Sequence, residues 1–336
     1  MNGVIVSSAA THRHAPAYGW DHGKGDVYMD QVERLVRIEA ALAGAGLDTH
    51  APRAFDQSAI ARVHTRELIA HIASSQELAP DAAVYPYVFP YRDDFCSPQT
   101  DLHEAGYYCF DVGTVMHHGT YQAAKAATDT ALEGAERILA GVADRVFALS
   151  RPPGHHADRA FYGGLCFFNN AAVAARRLAD HGRVAVLDLD FHHGNGTQGI
   201  FYYDPSVLYV SIHGDPRRHF PFLSGHAHEI GAGPGAGTTL NYPLPAGIDL
   251  EAYRRYLDLA LERIVGFDPH ALVVSIGFDT HSDDILGDAL FASMDYRALA
   301  TAVCQTGLPV LACLEGGYDL PSIGANAVAF CEGLFA

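Results

Sequence analysis

Six short runs along the chain are apolar at nearly every position: 3–7 (GVIVS), 145–150 (RVFALS), 183–190 (RVAVLDLD), 207–213 (VLYVSIH), 271–279 (ALVVSIGFD) and 308–315 (LPVLACLE). Continuous apolar runs of this length, without polar alternation, predict strands covered on both faces. Between them lie segments of helical period, among them 120–141, 170–182 and 249–267, several closed by glycine in the C-cap position. A further stretch, TTLNYPL (238–244), is strand-like and follows the glycine-rich GAGPGAG (231–237), which reads as a loop because no helix follows it. The alternation predicts an α/β chain on a mostly parallel central sheet with helices on both faces.

The pattern shows no repeat, low-complexity tract or compositional break, so residues 1–336 read as a single domain. One segment, about 74–106, fits neither period. It carries several prolines and aromatics, including Tyr85, Tyr87, Phe89 and Tyr91, and reads as a long loop insertion. Its apolar side chains either fold over the domain's own surface or dock against a second subunit, and a homodimer is expected on the second reading.

At 49% hydrophobic residues the chain is rich enough for a sizeable core, and no apolar stretch approaches membrane-spanning length. The first residues, MNGVIVSSAATH, carry no basic leader and read as a first strand. The six cysteines form no CxxC pair and predict reduced thiols in a soluble cytoplasmic protein. A formal net charge of −17 disfavours nucleic acid and anionic membranes as partners and favours cationic ligands.

The chemistry gathers where apolar runs end. FALS runs into Arg151, two prolines, Gly154, His155 and His156; VAVL into Asp188, Asp190 and His192; VVSIGF into Asp279; VLACL into Glu315 and Tyr318. Ligands of open parallel sheets bind beyond the carboxyl ends of the strands, so these clusters should meet in one crevice. Asp188, Asp190 and His192 are spaced by two and leave the same face of an extended backbone. With Asp279 they predict a metal site on Asp190, His192 and Asp279 with an open position, as a catalytic Zn2+ requires. A bridged second ion would want acids two residues beyond His192 and Asp279; the sequence has Gly194 and His281, so one ion per chain is the simpler reading. His155 and His156 then become a coupled pair whose pKa values are pushed apart, a base and a reserve acid. Asp188 and Asn195 are placed to orient them, and Tyr318 to donate its O–H to a carbonyl oxygen. The reaction these roles allow is attack of water on an amide carbonyl, with His156 taking the proton.

The motifs RPPGHHA, GGLCFFNNAAVAA, DLDFHHGNGTQGIFY, VSIHGDP, GAGTTLNYPL and LEGGY together resemble the zinc-dependent histone deacetylase family, most closely its acetylpolyamine amidohydrolase branch. The resemblance spans nearly the whole chain. It implies the arginase/deacetylase fold and a metal-dependent hydrolase of linear amides that deacetylates small amines such as acetylated polyamines. It also implies a structural K+ around Asp188, Asp190, His192 and Ser211, a substrate tunnel past Gly164, Leu165 and Phe220, and dimerisation through the 74–106 insertion. Leu165 departs from the aromatic residue usual at its position. The acids that hold a distant ammonium in polyamine-specific relatives have Asp101, Glu104 and Asp21 as candidates here. The alternatives are a deacylase or amidase of other small amides or of acetyl-lysine peptides, and a binding protein without catalysis.

Overall fold

Each of the six apolar runs becomes a strand. The structure, a computed structural model, describes residues 3–21, 24–89 and 101–336, with the side chains of residues 21, 24 and 101–104 outside that description. Among the described residues eight strands form one parallel sheet: β1 (Gly3–Val6), β2 (Thr49–His50), β3 (Arg145–Ala148), β4 (Val184–Asp188), β5 (Val207–Gly214), β6 (Thr239–Leu244), β7 (Ala271–Ile276) and β8 (Val310–Leu314). Their spatial order is β6-β5-β4-β7-β8-β3-β1-β2. The two-residue edge strand β2 is polar and exposed, which is why no apolar run announces it.

Every residue of β3, β4, β5, β7 and β8 is buried. Along β4 the side chains still alternate. Ala185 and Leu187 join one core layer with Leu35, Tyr253, Leu299 and Phe330 from the helices, while Val184 and Val186 join the other with Leu132, Ala171 and Ala175. Both faces being covered by helices, the alternation never surfaces as polarity in the sequence. The first layer is supplied by α1 (Val32–Gly44), α7 (Leu250–Phe267), α8 (Ser293–Cys304) and α9 (Leu320–Leu334), the second by α4 (Thr120–Leu139) and α5 (Asn170–Leu178).

Local chemistry sets the helix ends. Asn169 and Asp249 cap α5 and α7 by accepting the N–H of Ala172 and Ala252, each at 2.9 Å. Beyond α4, Gly141 takes the left-handed conformation, as the glycine pattern predicts. α7 instead ends on Asp268 with φ 55°, so an aspartate serves where glycine is usual.

The 74–106 segment is less featureless than its sequence suggests. A 3-10 turn follows helix α2 (Arg66–Ser74), Ala83–Val84 pairs antiparallel with Met116–His117, and α3 (Asp101–Tyr108) begins inside the segment. Eight residues are little more than two turns, too short for a helical period to stand out. Tyr91 and Cys96 lie outside the described residues. Tyr87 and Val88 are exposed, as are Tyr18, Trp20 and Val27 on the hairpin Tyr18–Asp21/Lys24–Val27. The Tyr85 hydroxyl ties the two surfaces by donating to the Tyr18 carbonyl at 3.4 Å. Among the described residues no helix is long and apolar enough to cross a membrane.

Candidate active site

The parallel registers place one residue from each of seven strands on a single row: Asn241, Ser211, Asp188, Ser275, Cys313, Ala148 and Val6. The polar clusters follow this row within a few residues, and so they converge beyond the carboxyl ends of the central strands.

Asp190, His192 and Asp279 come together, their ligand atoms all within 4.8 Å of one another. The carboxylates are aimed by backbone amides: Asp190 accepts the N–H of His192 at 2.9 Å and of Gly316 at 2.8 Å, and Asp279 that of Phe191 at 3.0 Å. The His192 Nδ1 meets the Asp279 carboxylate at 2.9 Å. Both acids are fully buried. Burial, then the charge of Asp190, pushes the Asp279 carboxyl up, while burial is outweighed at His192 by the two carboxylates, which raise its imidazole. Two buried acids sharing one imidazole form a donor set short of positive charge, and a divalent cation fits that need.

The alternation expected over residues 188–192 stops early. β4 ends at Asp188, and the chain bends over 190–192. The Asp188 carboxylate is engaged outside the ligand set, accepting His155 Nδ1–H at 3.1 Å and the Tyr209 hydroxyl at 3.1 Å. The position two residues beyond His192 is crowded. A Cβ at Gly194 would lie 2.2 Å from the Asp188 carboxylate and 2.7 Å from the Tyr209 hydroxyl, so a larger residue there would have to displace both. His281 lies instead near Asp283 and Asp319.

The tandem histidines have different partners. His155 donates to the Asp188 carboxylate and its Nε2 stands 3.7 Å from Asp190; His156 donates Nδ1–H to the Asn195 carbonyl oxygen at 2.7 Å. Burial opposes the charge on His155, yet Asp190 and Asp188 raise it to about 10. Burial, with the charges of His155 and His192, pushes His156 well below its ordinary value. Beneath the pair lies Glu315, a residue to which motif reading assigned no role. Its carboxylate accepts the N–H of Gly154 at 2.6 Å and of His155 at 3.1 Å, and the Ser275 hydroxyl at 3.0 Å. Burial pushes Glu315 up to about 7.

Tyr318 is positioned by three elements. Asp284 accepts its backbone N–H at 2.5 Å and that of Asp319 at 3.0 Å. Arg34, from α1, donates to the carbonyls of Glu315 and Gly317 and lies 4.7 Å from the centre of the Tyr318 ring. Asp30 pairs with Arg34 and, at 3.2 Å, with Arg151, so one buried acid links the tyrosine segment to the start of the histidine loop. Burial raises the Tyr318 phenol well above its ordinary value, which keeps it a proton-bearing donor. No motif signals Arg34 or Asp284; both lie in helix or loop contexts where a charged residue is unremarkable from sequence.

Of the residues expected to line a substrate wall, Phe220 meets the His156 ring edge-on at 4.9 Å, and Gly164 lies so close that a Cβ there would be 2.3 Å from the same ring. Leu165, with φ 66°, donates its N–H to the Thr114 hydroxyl at 2.8 Å. The ring stacked on Phe220 belongs to Phe110, which follows the GYYC stretch closely. Asp101 and Glu104 belong to α3, but their side chains, like that of Asp21, lie outside the described residues. The Ser211 hydroxyl pairs with His213 Nδ1 at 2.7 Å.

Comparison with known proteins agrees with this arrangement. The histone deacetylase domain matches residues 28–334. The chain is similar to acetylpolyamine amidohydrolase 2 of Pseudomonas aeruginosa, with 39% identity over 92% of this chain and 89% of that one. It is also similar to the acetylpolyamine amidohydrolase of Mycoplana ramosa, with 44% identity over 73% of each. Among solved structures, acetylpolyamine aminohydrolase from Burkholderia pseudomallei superposes with a TM-score of 0.94 at 34% identity, covering 100% of this chain and 99% of that one. The strand-end cluster, its buried acid pair and the tandem histidines thus stand in a hydrolytic deacetylase, and the chain belongs to the histone deacetylase family.

Proposed function

We propose that this protein removes acetyl groups from small cationic amines, acetylated polyamines being the substrate class, with one catalytic Zn2+ held by Asp190, His192 and Asp279. The observation that carries the reading is the convergence of that donor set with two histidines of opposite tendency at one row of strand ends. Identity to named acetylpolyamine amidohydrolases over most of the chain supports the substrate class. The ion, when bound, supplies Lewis-acid polarisation of the amide carbonyl and of water.

The protein's own groups do the rest. Because His156 commits Nδ1–H to Asn195, its Nε2 carries the lone pair and takes the proton as water oxygen adds to the carbonyl carbon. Tyr318 donates its O–H to the carbonyl oxygen as negative charge builds there. Collapse breaks the C–N bond, and the amine leaves with the proton that His156 took, giving a carboxylate and a free amine. His155, between Asp188 and Asp190, holds positive charge beside the centre and serves as the reserve acid.

Three further parts belong to the reading. Asp101 or Glu104, with Asp21 as the third candidate, takes the distant ammonium, in keeping with a net charge of −17. The K+ around Asp188, Asp190, His192 and Ser211 rests on resemblance alone. A homodimer, formed over the exposed Tyr18, Trp20, Val27, Tyr87 and Val88, would cover a surface that is otherwise costly in water. A cytoplasmic setting accords with free thiols at Cys109, Cys166, Cys304, Cys313 and Cys331.

Four measurements test these statements. Metal analysis should find about one tightly held divalent ion per chain, and Asp190→Ala or Asp279→Ala should lose both ion and activity while the far-ultraviolet dichroism persists. Two equivalents, or an active Asp279→Ala enzyme, would contradict the site. Tyr318→Phe should lower kcat by about 100- to 1,000-fold with KM little changed, because its O–H matters mainly as the oxyanion forms; a change confined to KM would remove its role. A cationic acetylated amine should exceed a neutral acetamide of equal length in kcat/KM, and replacing the responsible acid should cost the cation alone about 1–3 kcal/mol; equal handling of the two would make this a general small-amide hydrolase. Light scattering at micromolar concentration should give the mass of a dimer, and a protomer mass would count against the second-subunit reading.

A further inference from the structure

The loop after α3 brings one more ring to the reacting centre. Phe220 lies 4.9 Å from the His156 ring and 6.4 Å from the His192 ring, and Phe110 stacks on Phe220 at 5.9 Å between centroids with 19° between planes. Phe110 is therefore one ring removed from both imidazoles, and it is partly exposed at the outer side.

Several contacts fix the Phe110 backbone in place. Its N–H donates to the Tyr162 carbonyl at 3.1 Å. The next residue, Asp111, accepts the N–H of Gly113 at 2.7 Å and of Thr114 at 2.8 Å within its own loop, and that of Gly164 at 2.5 Å across the gap. Thr114 adds the bond to Leu165 already described. Two segments some fifty residues apart are thus stitched into one wall. Gly163 completes the seat, since a Cβ there would lie 2.5 Å from the Phe110 ring. These bonds anchor the backbone, and rotation of the side chain is the motion that breaks none of them.

The stacked pair leaves no passage between its faces. Carbon atoms in van der Waals contact sit about 3.5–4.0 Å apart, so an alkyl chain between two rings needs them separated by about 7–8 Å. A substrate that approaches the carbonyl through the pair has to part the rings. An unbranched methylene chain refills the opening with contact on both faces, and a following ammonium gains attraction to the rings. A branched chain needs a still wider opening and loses that contact.

We propose that Phe110 is a specificity-determining residue, closing the approach to the reacting carbonyl against all but slender, unbranched alkyl amides. The inference rests on the deacetylase reading and concerns selection of substrate, not cleavage of the bond.

Two substrates of equal charge and length separate width from every other property: N-acetyl-1,5-diaminopentane and its analogue with two methyl groups on carbon 3. Wild type should prefer the unbranched amide. Phe110→Ala should move the branched-to-unbranched ratio of kcat/KM upward by about tenfold or more, through KM, while Phe110→Tyr keeps the wild-type ratio. Equal loss on both substrates, or an unchanged ratio, would overturn the proposal by reducing Phe110 to a packing residue. Calorimetric binding of the same two amides to Tyr318→Phe enzyme, with and without Phe110→Ala, reads the ratio without turnover. A wild-type enzyme that hydrolyses neither amide would count against the deacetylase reading, and the binding ratio would still decide the part played by Phe110.

Discussion

Two carboxylates, Asp190 and Asp279, are fully buried side by side, and the surrounding structure is arranged around that cost. Isolated buried charge is strongly unfavourable, and like charges in low dielectric raise one another's proton affinity. Here three backbone N–H groups and one imidazole are directed at the two acids, which offsets part of the penalty without neutralising it. The remainder is a demand for positive charge, and it arises just beyond the ends of adjacent strands β4 and β7, where the fold presents both acids together.

The same electrostatics reaches the histidines and divides them. His155 lies among carboxylates, with Asp188 on one nitrogen, Asp190 near the other and Glu315 beneath its backbone, whereas His156 has only a neutral amide oxygen. Identical side chains in adjacent positions thus acquire opposite tendencies from partners on three different strands' ends. Glu315 and Asp30 serve as anchors in this arrangement. Glu315 bonds the histidine loop and, through its carbonyl, Arg34; Asp30 bonds Arg34 and Arg151. A shift in either acid would move the histidine loop and the tyrosine segment together.

What the sequence discloses follows from which forces are periodic or local. The strands are legible because burial on both faces leaves unbroken apolar runs, and Asp190, His192 and Asp279 because they sit just beyond such runs. The edge strand β2 is polar and two residues long, so nothing marks it. The spacing of two suggests one extended face through Asp188, Asp190 and His192, whereas strand β4 ends at Asp188 and the chain bends over the next residues, with the Asp188 carboxylate on His155. Arg34, Asp284 and Phe110 were silent for another reason. Their roles depend on contacts with segments distant in the chain, and no spacing rule within their own neighbourhoods carries that information. At Leu165 the structure shows a backbone N–H tied to Thr114, while the ring stacked on Phe220 is that of Phe110 from another loop.

The reach of those contacts bears on how the protein is made. Arg34 is synthesised well before its partner, since the carbonyl of Glu315 to which it donates lies 281 residues further along, and the Gly154 amide waits 161 residues for the Glu315 carboxylate. Contacts of such separation form late, because loop closure must come before them. Until β8 has left the ribosome and paired, the histidine loop has no floor and the buried acid Asp30 lacks the framework that holds Arg34 over it. A nascent chain therefore carries these strongly polar groups before the interior that receives them is complete, and the anchoring of the site by Glu315 arises only as β8 docks.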